Sequence, residues 1–176
     1  TVKCWSNHAN GKHSNQTLAE ALNNSCNPCF TDIALSIGKE TFYSYLSAFG
    51  FGKKTGIDYS GEAYGLLMPK SAVRGCDLAR IGFGQTIAVS GLQLACATAS
   101  AINGGYYYTP HLVKRIYAED GYVLKETENK LQARTISEDA SKMLAKMLQG
   151  VVQDGSGKKA YLEGFSVGGK TGTAQK

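Results

Sequence analysis

The densest chemistry in the sequence lies in Gly164-Phe165-Ser166-Val167-Gly168-Gly169-Lys170-Thr171-Gly172-Thr173-Ala174, which combines an ammonium group, two threonine hydroxyls and several glycines. Glycines in an extended stretch let a ligand or another backbone come close. From Gly164 to Thr171 the stretch matches the phosphate-loop pattern G-x-x-x-x-G-K-[ST]. That pattern holds phosphate only where it runs into a helix whose N-terminus faces the anion. Gly172-Thr173-Ala174-Gln175-Lys176 carries no helical pattern, so a nucleotide site is set aside. Far upstream, Ser25-Cys26-Asn27 sets a hydroxyl and a carboxamide on either side of a thiol. Cys26 also opens the C-x-x-C pair Cys26-Asn27-Pro28-Cys29. A thioredoxin-like pair needs its first cysteine at a helix start after a strand, and here a helix precedes it. Cys4, His8, His13, Cys26 and Cys29 are ligand types that suit zinc, although their spacing follows no common finger.

These groups must be positioned by the elements around them. Thr17 to Asn24 reads as a short helix, and Pro28 can open a second with apolar residues at Phe30, Ile33, Ala34, Ile37, Phe42, Tyr45, Leu46 and Phe49 before Gly50 stops it. Gly38 breaks that stretch in two. Gly50 to Pro69 reads as a long surface loop. Ser90 caps a helix through Ile102, closed by Asn103-Gly104-Gly105. His111 to Ala118 and Tyr122 to Lys125 flank Asp120-Gly121 as a strand pair. Ser137 caps a further helix with Met143, Leu144, Met147, Leu148, Val151 and Val152 on one face. Gly164 to Ala174 is expected to be a strand, and Tyr106-Tyr107-Tyr108 to pack as a strand start.

Composition narrows the class. The chain has 176 residues, 43% hydrophobic and 19% charged, with 21 Gly and 3 Pro, which excludes disorder, collagen and coiled coil. No apolar run approaches the roughly 18 to 20 residues of a spanning helix, and Thr1-Val2-Lys3-Cys4-Trp5 is not a secretion signal. The net charge of +5 comes from 19 basic residues scattered along the chain, without the basic stripe that nucleic-acid binding needs. No repeat or linker divides the sequence, so one unit over 1–176 is expected.

Lys-Thr-Gly on a strand has a second use, as the wall of a site where a serine attacks an amide while the lysine and hydroxyls hold a carboxylate. K-T-G is expected by chance only about 0.02 times in a chain this long. With S-x-N and S-x-x-K it forms the signature of penicillin-binding proteins and their β-lactamase relatives. The sequence resembles the transpeptidase domain of class B penicillin-binding proteins, in the sporulation-specific and division branch. The likeness rests on Ser25-Cys26-Asn27 and Lys170-Thr171-Gly172-Thr173-Ala174-Gln175. It extends to Phe49-Gly50-Phe51-Gly52, Thr55-Gly56-Ile57, Glu62, Phe83-Gly84-Gln85, Leu92-Gln93-Leu94-Ala95, Asn103-Gly104-Gly105 and Asp154-Gly155-Ser156-Gly157-Lys158.

The resemblance implies an α+β fold of the β-lactamase and transpeptidase type, with helices packed on an antiparallel sheet. It implies that Ser25 relays protons, that Asn27 binds the acyl-side amide of the substrate, and that Lys170 attracts its terminal carboxylate. Thr171 and Thr173 hydroxyls would bind that carboxylate, with Gly172 between them. The Thr173 N–H would supply half of an oxyanion hole, and Gln175 would extend the substrate-lining strand. The implied reaction is acyl transfer from D-Ala-D-Ala stem peptides of peptidoglycan through a serine ester, the step that β-lactam antibiotics trap. No metal or organic cofactor is implied, and no nucleic acid. The implied setting is the extracytoplasmic face of a membrane, anchored by an N-terminal segment, with a glycosyltransferase of the cell-wall machinery as partner.

The nucleophilic S-x-x-K should precede S-x-N, and nothing before Ser25 matches it. Ser36-Ile37-Gly38-Lys39 and Ser156-Gly157-Lys158-Lys159 match in letters but fall in the wrong places. The chain is therefore read as the S-x-N to K-T-G part of the domain, inactive alone. A D,D-carboxypeptidase, a β-lactam sensor, or a thiol redox or zinc module centred on Cys26 and Cys29 are the alternatives. Within the main reading, Cys4 and Cys26 form a possible redox pair that would tie activity to reduction.

Overall fold

Helix α1, Leu18–Asn23, begins where Thr17 and Glu20 cap each other: Thr17 N–H donates to Glu20 Oε2 at 2.7 Å and Glu20 N–H to Thr17 Oγ1 at 3.3 Å. The structure is a computed structural model that describes Val2, Cys4, His13 and Asn15–Thr173. The chain divides into two units, one built from residues up to Tyr43, from Met68–Ile87 and from Lys142 onward, the other from Ser44–Leu67 and Ala88–Ser141.

In the first unit, α2 spans Asn27–Ile37 with Pro28 in its first turn, and Gly38, at φ 80°, separates it from α3, Lys39–Ala48. Helix α4, Gly75–Gly82, lies against α2. Gly82 permits the approach: a Cβ added there would come within 2.5 Å of Ala34 Cβ. Ala34 is 1% exposed, and Leu78, Ala79 and Ile81 are buried beside it. The Thr31 hydroxyl donates to Ala79 O at 3.4 Å across the same contact. The Tyr43 hydroxyl donates to Met68 O at 2.8 Å and closes the unit's entry to the long loop.

Helix α6, Glu138–Gln153, starts under the cap that Ser137 offers, with Ala140 N–H donating to Ser137 Oγ at 3.2 Å. Its last turns bury Val151 and Val152 in the first unit, while Met143, on the expected apolar face, stays exposed. Beyond it, Ser156 N–H donates to Asn23 O at 3.0 Å, which pins the turn after α6 to the end of α1. The expected strand over Gly164–Ala174 is not formed. Up to Thr173 no strand pairs with it among the described residues, and Gly169 N–H donates instead to Leu148 O of α6 at 3.1 Å. A strand is defined by a ladder partner, which local pattern does not supply.

In the second unit, α5, Gly91–Ile102, opens with the reciprocal cap of Ser90 and Gln93. Strand β1, Tyr106–Tyr108, pairs antiparallel with β4, Leu131–Arg134, and β2, Arg115–Tyr117, with β3, Val123–Glu126. The fold is α+β, as expected, with small antiparallel sheets. Strand β2 is shorter than the sequence pattern because Leu112 and Val113 N–H groups are taken by the Asp58 carboxylate at 2.7 and 3.0 Å. Tyr107 is buried in β1, in line with a packing role for the tyrosine run. The long loop before Pro69 is held from within: Gln93, 0% exposed, donates to Lys53 O at 2.7 Å and Tyr64 O at 3.2 Å. Glu62 accepts from Thr55 N–H at 2.6 Å and Gly56 N–H at 3.1 Å.

Candidate active site

Helix α1 ends in a Schellman turn. Cys26 N–H donates to Ala21 O at 2.9 Å and Ser25 N–H to Leu22 O at 3.1 Å. The left-handed position of such a turn is normally glycine, yet here it is Ser25, at φ 52°. A side chain there costs about 1 kcal/mol or more, a cost that recurs where a functional group must sit at a chain reversal. Cys26 then stands at the N-cap of α2 and is 2% exposed, while Ser25 and Asn27 on either side of it are half-buried.

Lys170 meets this turn from 145 residues away: its Nζ donates to Ser25 Oγ at 2.7 Å. The same ammonium donates to Thr171 O at 3.0 Å and Thr171 Oγ1 at 3.2 Å. Ser156 Oγ lies 3.3 Å from Thr171 Oγ1 and extends the hydroxyl row. These partners of Lys170 are neutral, and among the described residues no carboxylate pairs with it. Partial burial pushes the Lys170 pKa below the ordinary lysine value. An ammonium without a carboxylate partner, beside three hydroxyls, is built to receive an anion such as a peptide carboxylate. Gly172 follows, and a Cβ there would meet nothing within 4 Å, so the strip beside Lys170 is open. Thr173 is exposed at its end.

The family described as the penicillin binding protein transpeptidase domain matches residues 1–176. The chain belongs to that family. Stage V sporulation protein D of Bacillus subtilis is 41% identical over 176 residues, covering 99% of this chain and 27% of that protein. Penicillin-binding protein PbpB of Mycolicibacterium smegmatis is 35% identical over 150 residues, covering 81% of this chain and 23% of that protein. Among solved structures, the D,D-transpeptidase domain of a peptidoglycan glycosyltransferase from Eggerthella lenta superposes with a TM-score of 0.85 at 25% identity, over 95% of this chain and 44% of that one. Penicillin-binding protein 3 of Mycobacterium tuberculosis, solved in complex with ampicillin, gives 0.85 at 29% identity, over 91% and 37%. The chain thus spans roughly a quarter of the length of its curated relatives.

In this transpeptidase domain the two motifs singled out from the sequence are neighbours through Ser25 and Lys170. Asn27 makes no hydrogen bond to Lys170 among the described residues; it sits at the first position of α2. Gln175, His8 and Trp5 lie outside the described residues. Ser156, read from the sequence only as a misplaced S-x-x-K, belongs to the hydroxyl row. Its signal was the Gly155-Ser156-Gly157 turn, whose glycines pack tightly, Gly155 against Asn23 and Val151 and Gly157 against Val151. Ser36 donates to Ile33 O of its own helix at 2.9 Å, and Lys39 starts the next helix beyond Gly38.

Behind the Ser25 turn, a second cluster forms. Cys4 Sγ lies 3.6 Å from His13 Nδ1, and the donor atoms of Cys4, His13 and Cys26 all fall within 4.8 Å of one another. All five cysteines are thiols. Burial works against ionisation of Cys26, but the Cys29 backbone amide and the Gln16, Cys29 and Cys4 side chains outweigh it and draw its pKa below the ordinary thiol value. Burial and the neighbouring Cys26 push Cys29 the other way.

Proposed function

We propose that this chain supplies the Ser-x-Asn and Lys-Thr-Gly walls of a D,D-transpeptidase that cross-links peptidoglycan stem peptides. The observation that carries the reading is the 2.7 Å hydrogen bond from Lys170 Nζ to Ser25 Oγ, which joins the two motifs into one site. The family membership and the names of the relatives favour this over a dedicated thiol oxidoreductase, a zinc module, a carboxypeptidase or a sensor.

In this reading a serine oxygen attacks the carbonyl of the penultimate D-alanine, the C–N bond breaks, and D-alanine leaves after its nitrogen takes a proton. An amine of a second stem peptide then attacks the ester, the C–O bond breaks and the serine recovers its proton. Ser25, hydrogen-bonded to an ammonium of lowered pKa, passes protons between the nucleophile and the amine. Lys170 and the hydroxyls of Thr171 and Thr173 hold the substrate carboxylate beside Gly172. Asn27 orients the acyl-side amide, the Thr173 N–H donates to the developing oxyanion, and Gln175 continues the substrate-lining strip.

The nucleophile is supplied by residues other than 1–176, because neither Ser36 nor Ser156 has a lysine one helical turn along the same helix. The domain therefore works as part of a longer protein at the outer face of a membrane, alongside a glycosyltransferase. No helix among the described residues is long and apolar enough to cross a membrane, so this reading assigns the anchor to another segment.

Intact mass after incubation with a reactive β-lactam tests the reading on the full-length protein and on residues 1–176. A single adduct on the full-length protein alone is the expected result. An adduct on residues 1–176 would overturn the placement of the nucleophile, and no adduct on either would overturn the enzymatic reading.

A further inference from the structure

Ser156 joins the site yet has no part in the acyl transfer described above. It stands in the turn after α6, where Gly157 N–H donates to Val151 O at 2.9 Å and Ser156 N–H to Asn23 O at 3.0 Å. Only glycine fits on either side of it: a Cβ on Gly155 would come within 2.8 Å of Asn23 O and 2.9 Å of Val151 O, and one on Gly157 within 3.1 Å of Val151 O. The backbone of Ser156 is thus fixed to Asn23, two residues before Ser25, while its exposed side chain reaches Thr171 Oγ1 at 3.3 Å. One residue therefore spans the Ser25 turn and the strip that carries Lys170.

The hydrogens available fix what Thr171 can do. An ammonium has three donors and no acceptor, and a hydroxyl has one donor and two lone pairs. Lys170 places its donors on Ser25 Oγ, Thr171 O and Thr171 Oγ1, so Thr171 Oγ1 accepts from it at 3.2 Å. One lone pair and the proton of Thr171 remain, and Ser156 can engage either. We propose that Ser156 is a positioning residue for carboxylate recognition, an inference that rests on the transpeptidase reading. With the strip empty, Ser156 accepts the Thr171 proton. When a carboxylate arrives, Ser156 turns its own O–H onto the second lone pair of Thr171. Thr171 then has both lone pairs occupied and only its donor left, and that donor meets the anion in the open strip beside Gly172. No bond to a heavy atom is made or broken in this step; two hydroxyls rotate. An ester or amide terminus accepts a hydrogen bond more weakly than a carboxylate, so the gain from Ser156 falls on the free acid.

Acylation of the full-length protein is measured with a penicillin carrying its free ring carboxylate and with the methyl ester of the same compound, for the parent and for Ser156→Ala. The expected result is a fall of about 3- to 10-fold in the second-order acylation rate constant with the free acid, arising mostly in the saturation constant, and a change within about twofold with the ester. Ser156→Thr, which keeps the hydroxyl, should restore the free-acid rate. Should the alanine variant fail to fold, Ser156→Cys, a weak donor of similar size, gives the same readout. In a Thr171→Ala background, where no hydroxyl is left to orient, Ser156→Ala should cost nothing further. Equal losses with acid and ester, no loss with the acid, or an additive loss in the Thr171→Ala background would each overturn the proposal while the parent still acylates and the transpeptidase reading stands. No adduct on the parent protein would overturn both.

Discussion

Lys170 Nζ donates to Ser25 Oγ at 2.7 Å across 145 residues of sequence, and the hydroxyl it reaches sits on a residue held at φ 52°. The turn that ends α1 and the glycine-rich strip after α6 are each ordinary; their contact makes the site. Lys170→Ala is expected to lower the β-lactam acylation rate of the full-length protein by about 10²-fold or more while leaving its circular dichroism unchanged. An acylation rate within threefold of the parent would remove Lys170 from the chemistry.

Ser25 occupies a position where glycine is the conformational optimum. Ser25→Gly should therefore raise stability by about 1 kcal/mol, read as a higher Tm, and, under the proposed relay role, slow acylation because the hydroxyl that Lys170 reaches is gone. Ser25→Ala should slow acylation equally without the gain in Tm. A faster or unchanged acylation rate in both variants would show that the serine is there for another reason.

Cys4 and Cys26 are close enough for oxidation to join them. Mild oxidation is expected to yield a disulfide-linked peptide containing both residues and a slower β-lactam adduct, reversed by reductant. Peptide mapping that finds Cys26 free after this treatment would exclude the pair as a redox device.

Burial raises the Glu62 pKa but its hydrogen bonds from Thr55 and Gly56 lower it by more, so the carboxyl stays below its ordinary value. A carboxyl with a depressed folded pKa stabilises the fold fully above its unfolded value, about 4.3, and loses that contribution as pH falls through the lower folded value. Hydrogen exchange of the Thr55 and Gly56 amides should accelerate, relative to its ordinary pH trend, as acid is added below that point. Glu62→Gln should flatten the response; an identical acid profile in the variant would mean another group governs the loop.

Gly82 sets the distance between α2 and α4, since an added Cβ would come within 2.5 Å of Ala34 Cβ. Gly82→Ala gains about 1 kcal/mol of helix propensity yet is expected to destabilise by a net 1 kcal/mol or so, because overpacking a closed contact costs about 1–3 kcal/mol. Urea denaturation of the variant measures this directly, and a rise in midpoint would show that the helices can part without cost.

Local sequence determined the parts of this protein whose stabilisation is itself local. Thr17, Ser90 and Ser137 mark helix starts because a cap needs only the next three residues, and Gly38 and Asn103-Gly104-Gly105 mark ends for the same reason. The motifs Ser25-Cys26-Asn27 and Lys170-Thr171-Gly172 were legible as chemistry because their residue types are rare in combination. Ladder partners were not legible: Leu131–Arg134 lacks β-branched residues yet pairs with β1, and the glycine-rich strip before Thr173 looks like a strand yet runs without one among the described residues. Nor could local pattern show that Asp58 takes the N–H groups of Leu112 and Val113 and shortens β2. Only the tertiary structure brought Lys170 to Ser25, Ser156 to Thr171, and Cys4 and His13 to Cys26, because contacts between distant residues depend on how the elements pack, and packing is a property of the whole chain.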